Sequence, residues 1–480
     1  MARKNQIALK LLIDKDKNRV VFVESNGDFI DVLFSLLTLP MGTTVRLFQT
    51  QSCIGSLDNL YKSLLKLNKE HLQTPECFNM LSRPRSAYET ICKKLKIIID
   101  DSESTKYYMC PESMCSYDML STIRNSKCRC GEIMSEEKNI SVDCDGFLKR
   151  MTNKFIVTDD LQVMPVSTTV AAFTLLKGYG VGEKSKLEKQ PIDIGPDEVL
   201  LLLKHAFLSK EPFTDVFLRN QELALTKNVK VEQREIPEYL KRKCQLNNSK
   251  MISLKLIVSK SQNKVLYAEA GAEFLDFLFS FLTLPLGSII KLLGGNCSMG
   301  CIANLYSSVT SVMVSDCTKS EKYSGILLDP KLPQHFNCSS QVLRIDEEAP
   351  MQYCYLCIVG RLHSGSFPCP YHENQVELNV INPKSPNAAT ETGGGFMKDA
   401  VAYMVTDKLS VSPLSPMQAM SHFNTLNVPV DNIEEQVVLV GEEEGLQILK
   451  ASLTSKTVLN DVFAPKSTVE RLLVEDFLWI

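Results

Sequence analysis

Alternating apolar and polar residues near the start of the chain predict a β-hairpin. Residues 8–13 and 19–24 carry the two alternating runs, and the polar residues 14–18 between them form the expected turn. The pattern returns later in the chain, where 254–258 and 264–269 flank a second polar turn. We therefore expect two hairpins, one in each half of the chain.

A long apolar run follows the first hairpin. Residues 29–39 place apolar side chains three or four positions apart and add others between them, which predicts a helix buried on nearly every face. Asp28 suits the N-terminal end of that helix, and Pro40 with Gly42 should end it. Beyond the helix, residues 45–48 are predicted to form a short strand.

Strands and helices alternate in the rest of the sequence. Residues 54–67 and 196–208 have helical periodicity, and 155–157 is predicted to be a strand. The polar or Gly/Pro-rich stretches are expected to be surface loops, namely 100–106, 183–191 and 383–395. This alternation predicts an α/β or α+β fold with a central sheet in each half.

The two halves of the chain match each other in sequence. Residues 9–61 align with 254–306 without a gap, and 22 of these 53 positions are identical. The period is far longer than the ~20–50 residues of solenoid repeats. We therefore expect two tandem modules, 1–245 and 246–480, with the junction in the polar stretch 241–250. The modules are expected to pair within the chain as the subunits of a homodimer do.

Composition narrows the class of protein. The chain has 480 residues, 44% of them hydrophobic, and its formal net charge of −3 argues against a dedicated nucleic-acid-binding protein. No secretory signal opens the sequence, and no apolar run approaches the ~20 residues that a membrane-spanning helix needs. We expect a soluble cytoplasmic or nuclear protein whose sixteen cysteines are metal ligands or core residues.

Each half carries a cysteine-rich insert, at about 105–145 and 335–378. Both inserts have two close ligands, a loop of about a dozen residues and two more close ligands, a spacing typical of zinc-ribbon-like sites. The predicted ligands are Cys110, Cys115, Cys128 and Cys130 in the first insert, and Cys354, Cys357, Cys369 and His372 in the second. Cys144, His335 and Cys338 are spare candidates. Four protein ligands make a zinc site structural; the alternative is that these are ordinary free cysteines.

No catalytic constellation is apparent in the sequence. None of the six histidines is matched between the halves, and no Gly-x-Ser-x-Gly nucleophile turn occurs. The matched carboxylates are Asp31 with Asp276, Asp159 with Asp407, and Asp215 with Asp461. Helix caps and turns account for such residues, and acid–base catalysis in a pocket near Asp31 and Asp276 is the alternative.

Three segments resemble a known family. Residues 28–42, Asn59-Leu60-Tyr61 and Val157-Thr158-Asp159-Asp160-Leu161 are similar to a plant family called domain of unknown function number 674. The resemblance covers nearly the whole chain, in two copies. It implies a plant source and a tandem-module build, and it implies no catalytic residue because the family has no established activity.

These observations favour a non-enzymatic, zinc-stapled binding or scaffold protein. Its expected partner is a protein or a small molecule, and not a membrane. An enzyme or small-ligand sensor with a site between the two modules is the alternative. Nucleic-acid binding through the inserts would need a more basic surface than Lys127 and Arg129 supply.

Overall fold

The computed structural model describes residues 6–112, 115, 118–140, 145–150, 154–166, 178, 186–219, 250–295, 299–354, 361–364, 369, 375–385, 394–399 and 401–464. We call the described residues up to 219 the N-terminal half and those from 250 onward the C-terminal half. The predicted junction lies outside the described residues apart from Lys250, and so does the spare ligand Cys144. Within the described part, no helix is both long and apolar enough to cross a bilayer.

The N-terminal half contains long strands near both of its ends and short strands in its insert. Its described strands are β1 (Ile7–Asp14), β2 (Arg19–Ser25), β3 (Tyr107–Met109), β4 (Met119–Leu120), β5 (Glu136–Lys138), β6 (Phe155–Thr158), β7 (Val163–Pro165) and β8 (Leu187–Ile194). Its described helices are α1 (Gly27–Ser35), α2 (Met41–Leu47), α3 (Leu57–Lys66), α4 (Pro75–Ser82), α5 (Glu89–Cys92), α6 (Pro196–Leu208) and α7 (Pro212–Phe217). Short 3-10 helices lie at Leu36–Thr38 and Lys69–His71.

The C-terminal half follows a similar order. Its described strands are β9 (Ile252–Ser259), β10 (Lys264–Ala270), β11 (Gln352–Cys354), β12 (Arg361–His363), β13 (Val376–Glu377), β14 (Asn379–Val380), β15 (Tyr403–Thr406), β16 (Val411–Pro413) and β17 (Ile433–Val440). Its described helices are α8 (Ala272–Thr283), α9 (Leu286–Leu292), α10 (Ile302–Val314), α11 (Glu321–Leu328), α12 (Pro416–Leu426), α13 (Glu442–Thr454) and α14 (Val458–Phe463). A 3-10 helix lies at Val430–Asn432.

Each half builds a five-stranded sheet, and the two sheets have the same strand order. That order is β7-β6-β2-β1-β8 in the N-terminal half and β16-β15-β10-β9-β17 in the C-terminal half. The predicted hairpins are confirmed, since β1 pairs with β2 and β9 with β10. Neighbouring strands are antiparallel throughout both sheets. The fold is therefore mixed α+β rather than a parallel α/β fold.

One apolar core runs through both halves. The helix predicted to be buried is confirmed as α1, where Phe29 and Phe34 are fully buried, and Phe274 and Phe279 are equally buried in α8. All of these residues belong to a single cluster that also contains the core faces of the two sheets. Burying a side chain of this size contributes about 1.5–3 kcal/mol, so the helices α1 and α8 stabilise the two halves together.

The segments after α1 and α8 pair with each other across the two halves. The Met41 amide donates to the Leu284 carbonyl over 2.9 Å, and the Leu286 amide donates to the Leu39 carbonyl over 3.0 Å. The two donors, Met41 and Leu286, are the first residues of helices α2 and α9. The contact is reciprocal, as it is between the subunits of a twofold dimer.

Each half also places a helix against the sheet of the other half. On α3, the Ser63 hydroxyl accepts a hydrogen bond from the Val411 amide of β16 over 2.9 Å. On α10, the Ser308 hydroxyl accepts one from the Val163 amide of β7 over 2.9 Å. These buried bonds complete the edges of β7 and β16 with a side chain of the opposite half. The two halves therefore interlock rather than meet at flat faces.

Two predictions about local structure are wrong. Residues 45–47 belong to helix α2 and Phe48 is its C-cap, so no strand forms here; the Pro40 carbonyl accepts from the Thr44 amide and starts a helical turn at Met41. Gly42 lies inside that helix instead of ending its predecessor. A Cβ atom there would lie 2.9 Å from the Leu282 carbonyl oxygen, so the close approach of the C-terminal half requires glycine.

The loop predicted at 183–191 is also wrong over its second part. Residues 187–194 form the edge strand β8, which pairs with β1 along its whole length from Ile7 to Asp14. The side chains of β8 are mostly exposed, and its residues are as polar as those of a surface loop. Backbone pairing alone defines this strand. The helix predicted at 196–208 is confirmed as α6.

Candidate metal centre

Short strands of the first insert carry the predicted cysteine ligands. Strand β3 ends one residue before Cys110 and pairs with β5. Cys128 and Cys130 lie on a tight turn, in which the Cys128 amide donates to the Glu132 carbonyl and the Gly131 amide donates to the Cys128 carbonyl. Such a turn presents two thiols on one side of the backbone. The first predicted ligand therefore lies at the end of a strand, and the last two lie on a turn that faces it.

The structure brings all four predicted ligands of the first insert together. The sulfur atoms of Cys110, Cys115, Cys128 and Cys130 all lie within 4.8 Å of one another. The Cys110 and Cys130 sulfurs are 3.5 Å apart, and those of Cys115 and Cys128 are 3.6 Å apart. Four thiolates at ~2.3 Å from a tetrahedral zinc ion would be about 3.8 Å apart. Two of the six sulfur–sulfur separations are therefore close to this value, and the other four are at most 4.8 Å.

The thiols of the cluster differ in pKa. Burial raises the pKa of the Cys110 thiol to about 12 and raises that of Cys128 as well. The pKa of exposed Cys130 is lowered, mainly by a hydrogen bond from the Glu132 backbone. Without a cation, the buried thiols would keep their protons. A divalent metal ion would displace those protons and compensate the negative charge of the thiolates.

The second predicted ligand set is only partly described. Cys354 and Cys369 are buried. Cys357 and His372 lie outside the described residues, so a second site stays a prediction. The Cys369 amide donates to the Gln375 side chain over 3.0 Å.

The spare candidates of the second insert have other partners. The Nε2 atom of His335 lies 2.8 Å from the Val380 carbonyl oxygen, and its amide donates to the Glu347 carboxylate. Cys338 is buried and its sulfur accepts from the Ser340 hydroxyl. Neither residue joins the four-cysteine cluster of the first insert.

The two inserts pack against each other. Strand β4 of the first insert pairs in parallel with β14 of the C-terminal half. The Asn379 amide donates to the Asp118 carbonyl, and the Ile381 amide donates to the Leu120 carbonyl. Ile381 also shares a small buried cluster with the metal-ligand candidates Cys110 and Cys128. A metal ion in the cluster would therefore brace a contact between the two halves.

Asp31 and Asp276 do not converge on one pocket. One oxygen of Asp31 accepts from the Phe147 and Leu148 amides at 2.8 and 3.0 Å. One oxygen of Asp276 accepts from the amides of Phe396 and Met397 in the same way, at 2.8 and 2.9 Å. Each carboxylate thus holds the backbone turn that leads from an insert back to its sheet. Burial raises the pKa of Asp31 to about 6 and that of Asp276 to about 7.

The matched pair Asp159 and Asp407 also anchors backbone. Asp159 lies in the β6–β7 turn as predicted, and its carboxylate accepts from the amide and the hydroxyl of Thr214 at the start of α7. Asp407 accepts from the Asn460 amide of α14 over 2.9 Å. Burial raises the pKa of Asp159 to about 7 and raises that of Asp407. These two carboxylates therefore hold α7 and α14 against the sheets of their own halves.

Asp215 and Asp461 are less alike. Asp215 accepts from the Ser209 hydroxyl over 2.5 Å and from the Arg219 guanidinium over 2.7 Å, so it ties the end of α6 to α7. Asp461 accepts from the hydroxyl of Thr457 at the start of α14. The prediction that these residues cap a helix is wrong, because each is the fourth residue of its helix, and the N-cap positions are Glu211 and Thr457.

The sequence-based alternative placed a pocket near both Asp31 and Asp276, and the structure has a cavity of about 200 Å³ beside Asp31 that Asp276 does not line. Its other charged residues are Asp28, Lys94, Lys96, Asp145 and Arg150. These residues come from three separate parts of the chain and have no shared spacing or motif. Only the tertiary fold brings them together.

Comparison with known proteins gives one match. Curated proteins and solved structures contain no match to this chain. A family's sequence model matches residues 3–443, which is most of the chain. The chain therefore belongs to the family described as "Protein of unknown function (DUF674)", and the resemblance seen in its sequence is confirmed.

Proposed function

We propose that this chain is a non-enzymatic scaffold made of two tandem modules, 1–245 and 246–480, and stapled by structural zinc. The observation that carries the proposal is the four-cysteine cluster of the first insert, whose sulfurs lie within 4.8 Å of one another. Four thiolates leave no coordination position for a substrate, so an ion held there would stabilise the fold rather than catalyse a reaction.

The reciprocal contacts between the halves support the tandem arrangement. Two sheets have the same strand order, and Ser63 and Ser308 bind the opposite sheets through equivalent hydrogen bonds. The matched carboxylates Asp31 and Asp276 bind backbone amides, which argues against the alternative of a catalytic pair between the modules. A scaffold of this kind would present fixed surfaces to a protein or small-molecule partner.

Cys354, Cys357, Cys369 and His372 form the second proposed zinc site. Burial of Cys354 and Cys369 supports it, and the matching position of the two inserts in the sequence is its second support. A set of three cysteines and one histidine would bind zinc in the same tetrahedral geometry as the four cysteines of the first insert.

The proposal is tested by the metal content of purified full-length protein, measured by elemental mass spectrometry. Wild-type protein should carry two zinc ions, and Cys130→Ser and Cys369→Ser should each lose one. Cys53→Ser is the matched control, since Cys53 is an exposed free cysteine outside the cluster. Metal-free wild-type protein would contradict the zinc staple, and a zinc ion retained by Cys130→Ser would contradict the assignment of the first site.

A further inference from the structure

The four-cysteine cluster of the first insert combines one exposed thiol with three that are less accessible. Cys130 is exposed, whereas Cys110 and Cys128 are buried and Cys115 is half-buried. A small oxidant in solution therefore reaches the Cys130 sulfur before the others. Oxidation of a cysteine depends on this accessibility and on its thiolate character, and a sulfur that binds a metal ion is already a thiolate.

The exposed sulfur has a second sulfur within reach. The Cys130 and Cys110 sulfurs are 3.5 Å apart, although the two residues are 20 positions apart in the sequence. A disulfide holds its sulfur atoms about 2 Å apart, so small side-chain rotations would join this pair. Cys53 is also exposed, but it lies outside the cluster. Exposure and a neighbouring thiol therefore coincide at Cys130.

We propose that a small peroxide joins Cys130 to Cys110 in a disulfide, and that this disulfide releases the metal ion from the first insert. The release of metal rests on the structural zinc proposed above, whereas formation of the disulfide does not. The cluster would then be a site of reversible oxidation as well as a staple, and an oxidant would control whether the staple is closed.

The oxidation takes two steps, with hydrogen peroxide as the oxidant. The Cys130 thiolate attacks one peroxide oxygen, so the S–O bond forms, the O–O bond breaks and hydroxide leaves; the sulfur loses two electrons and becomes a sulfenic acid. The Cys110 thiolate then attacks the Cys130 sulfur, so the S–S bond forms, the S–O bond breaks and a second hydroxide leaves. Two thiolates and one peroxide thus give one disulfide and two hydroxide ions.

The disulfide would remove half of the metal ligands and act on the contact between the two halves. Disulfide sulfurs carry no negative charge, so Cys115 and Cys128 would be the remaining thiolates of a site that needs four ligands. Cys110 directly follows β3, in which Tyr108 exchanges two backbone hydrogen bonds with Ser121, of 2.8 and 3.0 Å. Ser121 directly follows β4, which pairs with β14 of the C-terminal half. Oxidation at an exposed thiol would therefore loosen a contact between the halves.

The test maps the cysteines of zinc-loaded, full-length protein during titration with hydrogen peroxide. Trypsin cleaves after Arg129, which places Cys128 and Cys130 in different peptides, and fragmentation within the linked peptide distinguishes Cys110 from Cys115. The first disulfide should join Cys110 to Cys130. Free zinc, followed with a coloured chelator, should rise in step with this disulfide, and a thiol reductant with added zinc should reverse both changes.

Cys53→Ser is the matched control, because it removes an exposed thiol outside the cluster. It should form the same disulfide and release zinc at the wild-type rate. Reduced cluster thiols at a peroxide dose that fully oxidises Cys53 in wild-type protein would overturn the proposal, as would a first disulfide between any other pair. Zinc retained after Cys110 and Cys130 have joined would overturn the release of metal. A disulfide between them in protein that never binds zinc would contradict the metal site and support the oxidation alone.

Discussion

The interlock between the halves predicts that Gly300→Ala strongly destabilises the protein. Gly300 has a φ of +56°, and a Cβ atom there would lie 2.2 Å from the carbonyl oxygen of Ala206 in the other half. The next residue, Cys301, donates its amide to that same carbonyl over 2.8 Å. Alanine would therefore push apart two backbone segments whose hydrogen bond joins α6 to the start of α10.

The expected loss has two parts. Placing a non-glycine residue at positive φ costs about 1 kcal/mol. A Cβ contact with backbone at this distance forces the segments apart, and the strain with the weakened Cys301 hydrogen bond adds about 1–3 kcal/mol. The total is about 2–4 kcal/mol in the free energy of unfolding, which lies in the upper range for single substitutions.

Gly295→Ala is the matched control for Gly300→Ala. Gly295 also has a positive φ, of +74°, but a Cβ atom there would meet nothing within 4 Å. It should lose only the conformational part, about 1 kcal/mol. Urea unfolding of the two variants, followed by circular dichroism, measures the difference. Equal losses in Gly300→Ala and Gly295→Ala would refute the close packing of the two halves at this position.

Two further changes test the buried polar contacts. Ser308→Ala should lower the free energy of unfolding by about 1–3 kcal/mol, because it leaves the buried Val163 amide unpaired. The control Ser307→Ala changes an exposed residue of the same helix and should alter that free energy by no more than about 0.5 kcal/mol. Similar losses for the two variants in urea unfolding would contradict this contact. Burial raises the pKa of Asp159 from 3.8 to about 7. As the pH rises, the unfolded chain therefore loses this proton at a lower pH than the folded chain does. The stabilisation is fully present below pH 4 and is lost as the pH rises toward 7. The free energy of unfolding should fall by roughly 4 kcal/mol between pH 4 and 7 through this group, and Asp159→Asn should make its pH dependence flatter over that range. An unchanged slope in Asp159→Asn would contradict a raised pKa at Asp159.

The elements that follow from local pattern were predictable from the sequence. Alternation within 8–13 and 19–24 is strong enough to specify β1 and β2, and the apolar run at 29–39 specifies a buried helix. The first cysteine set was predictable for the same reason, because close ligand pairs encode short turns regardless of the rest of the fold.

The features that depend on distant contacts were not predictable. Strand β8 has the composition of a loop and becomes a strand only by pairing with β1. Position 42 needs glycine because the C-terminal half approaches it closely. Helices α3 and α10 each lie against the sheet of the other half, so this contact joins segments far apart in the sequence. The cavity beside Asp31 is also lined by distant segments. A single sequence contains no periodic signal for such contacts.

The central claim is that a metal ion in the first insert braces the scaffold, and the thermal midpoint of the chelated protein tests it most directly. Cys130 is an exposed ligand candidate, so Cys130→Ser removes a thiolate without opening a core cavity. Chelation should lower the midpoint of wild-type protein by roughly 5 °C or more, added zinc should restore it, and untreated Cys130→Ser should already have the lower value. A midpoint that neither chelation nor Cys130→Ser changes would contradict a structural metal at this site.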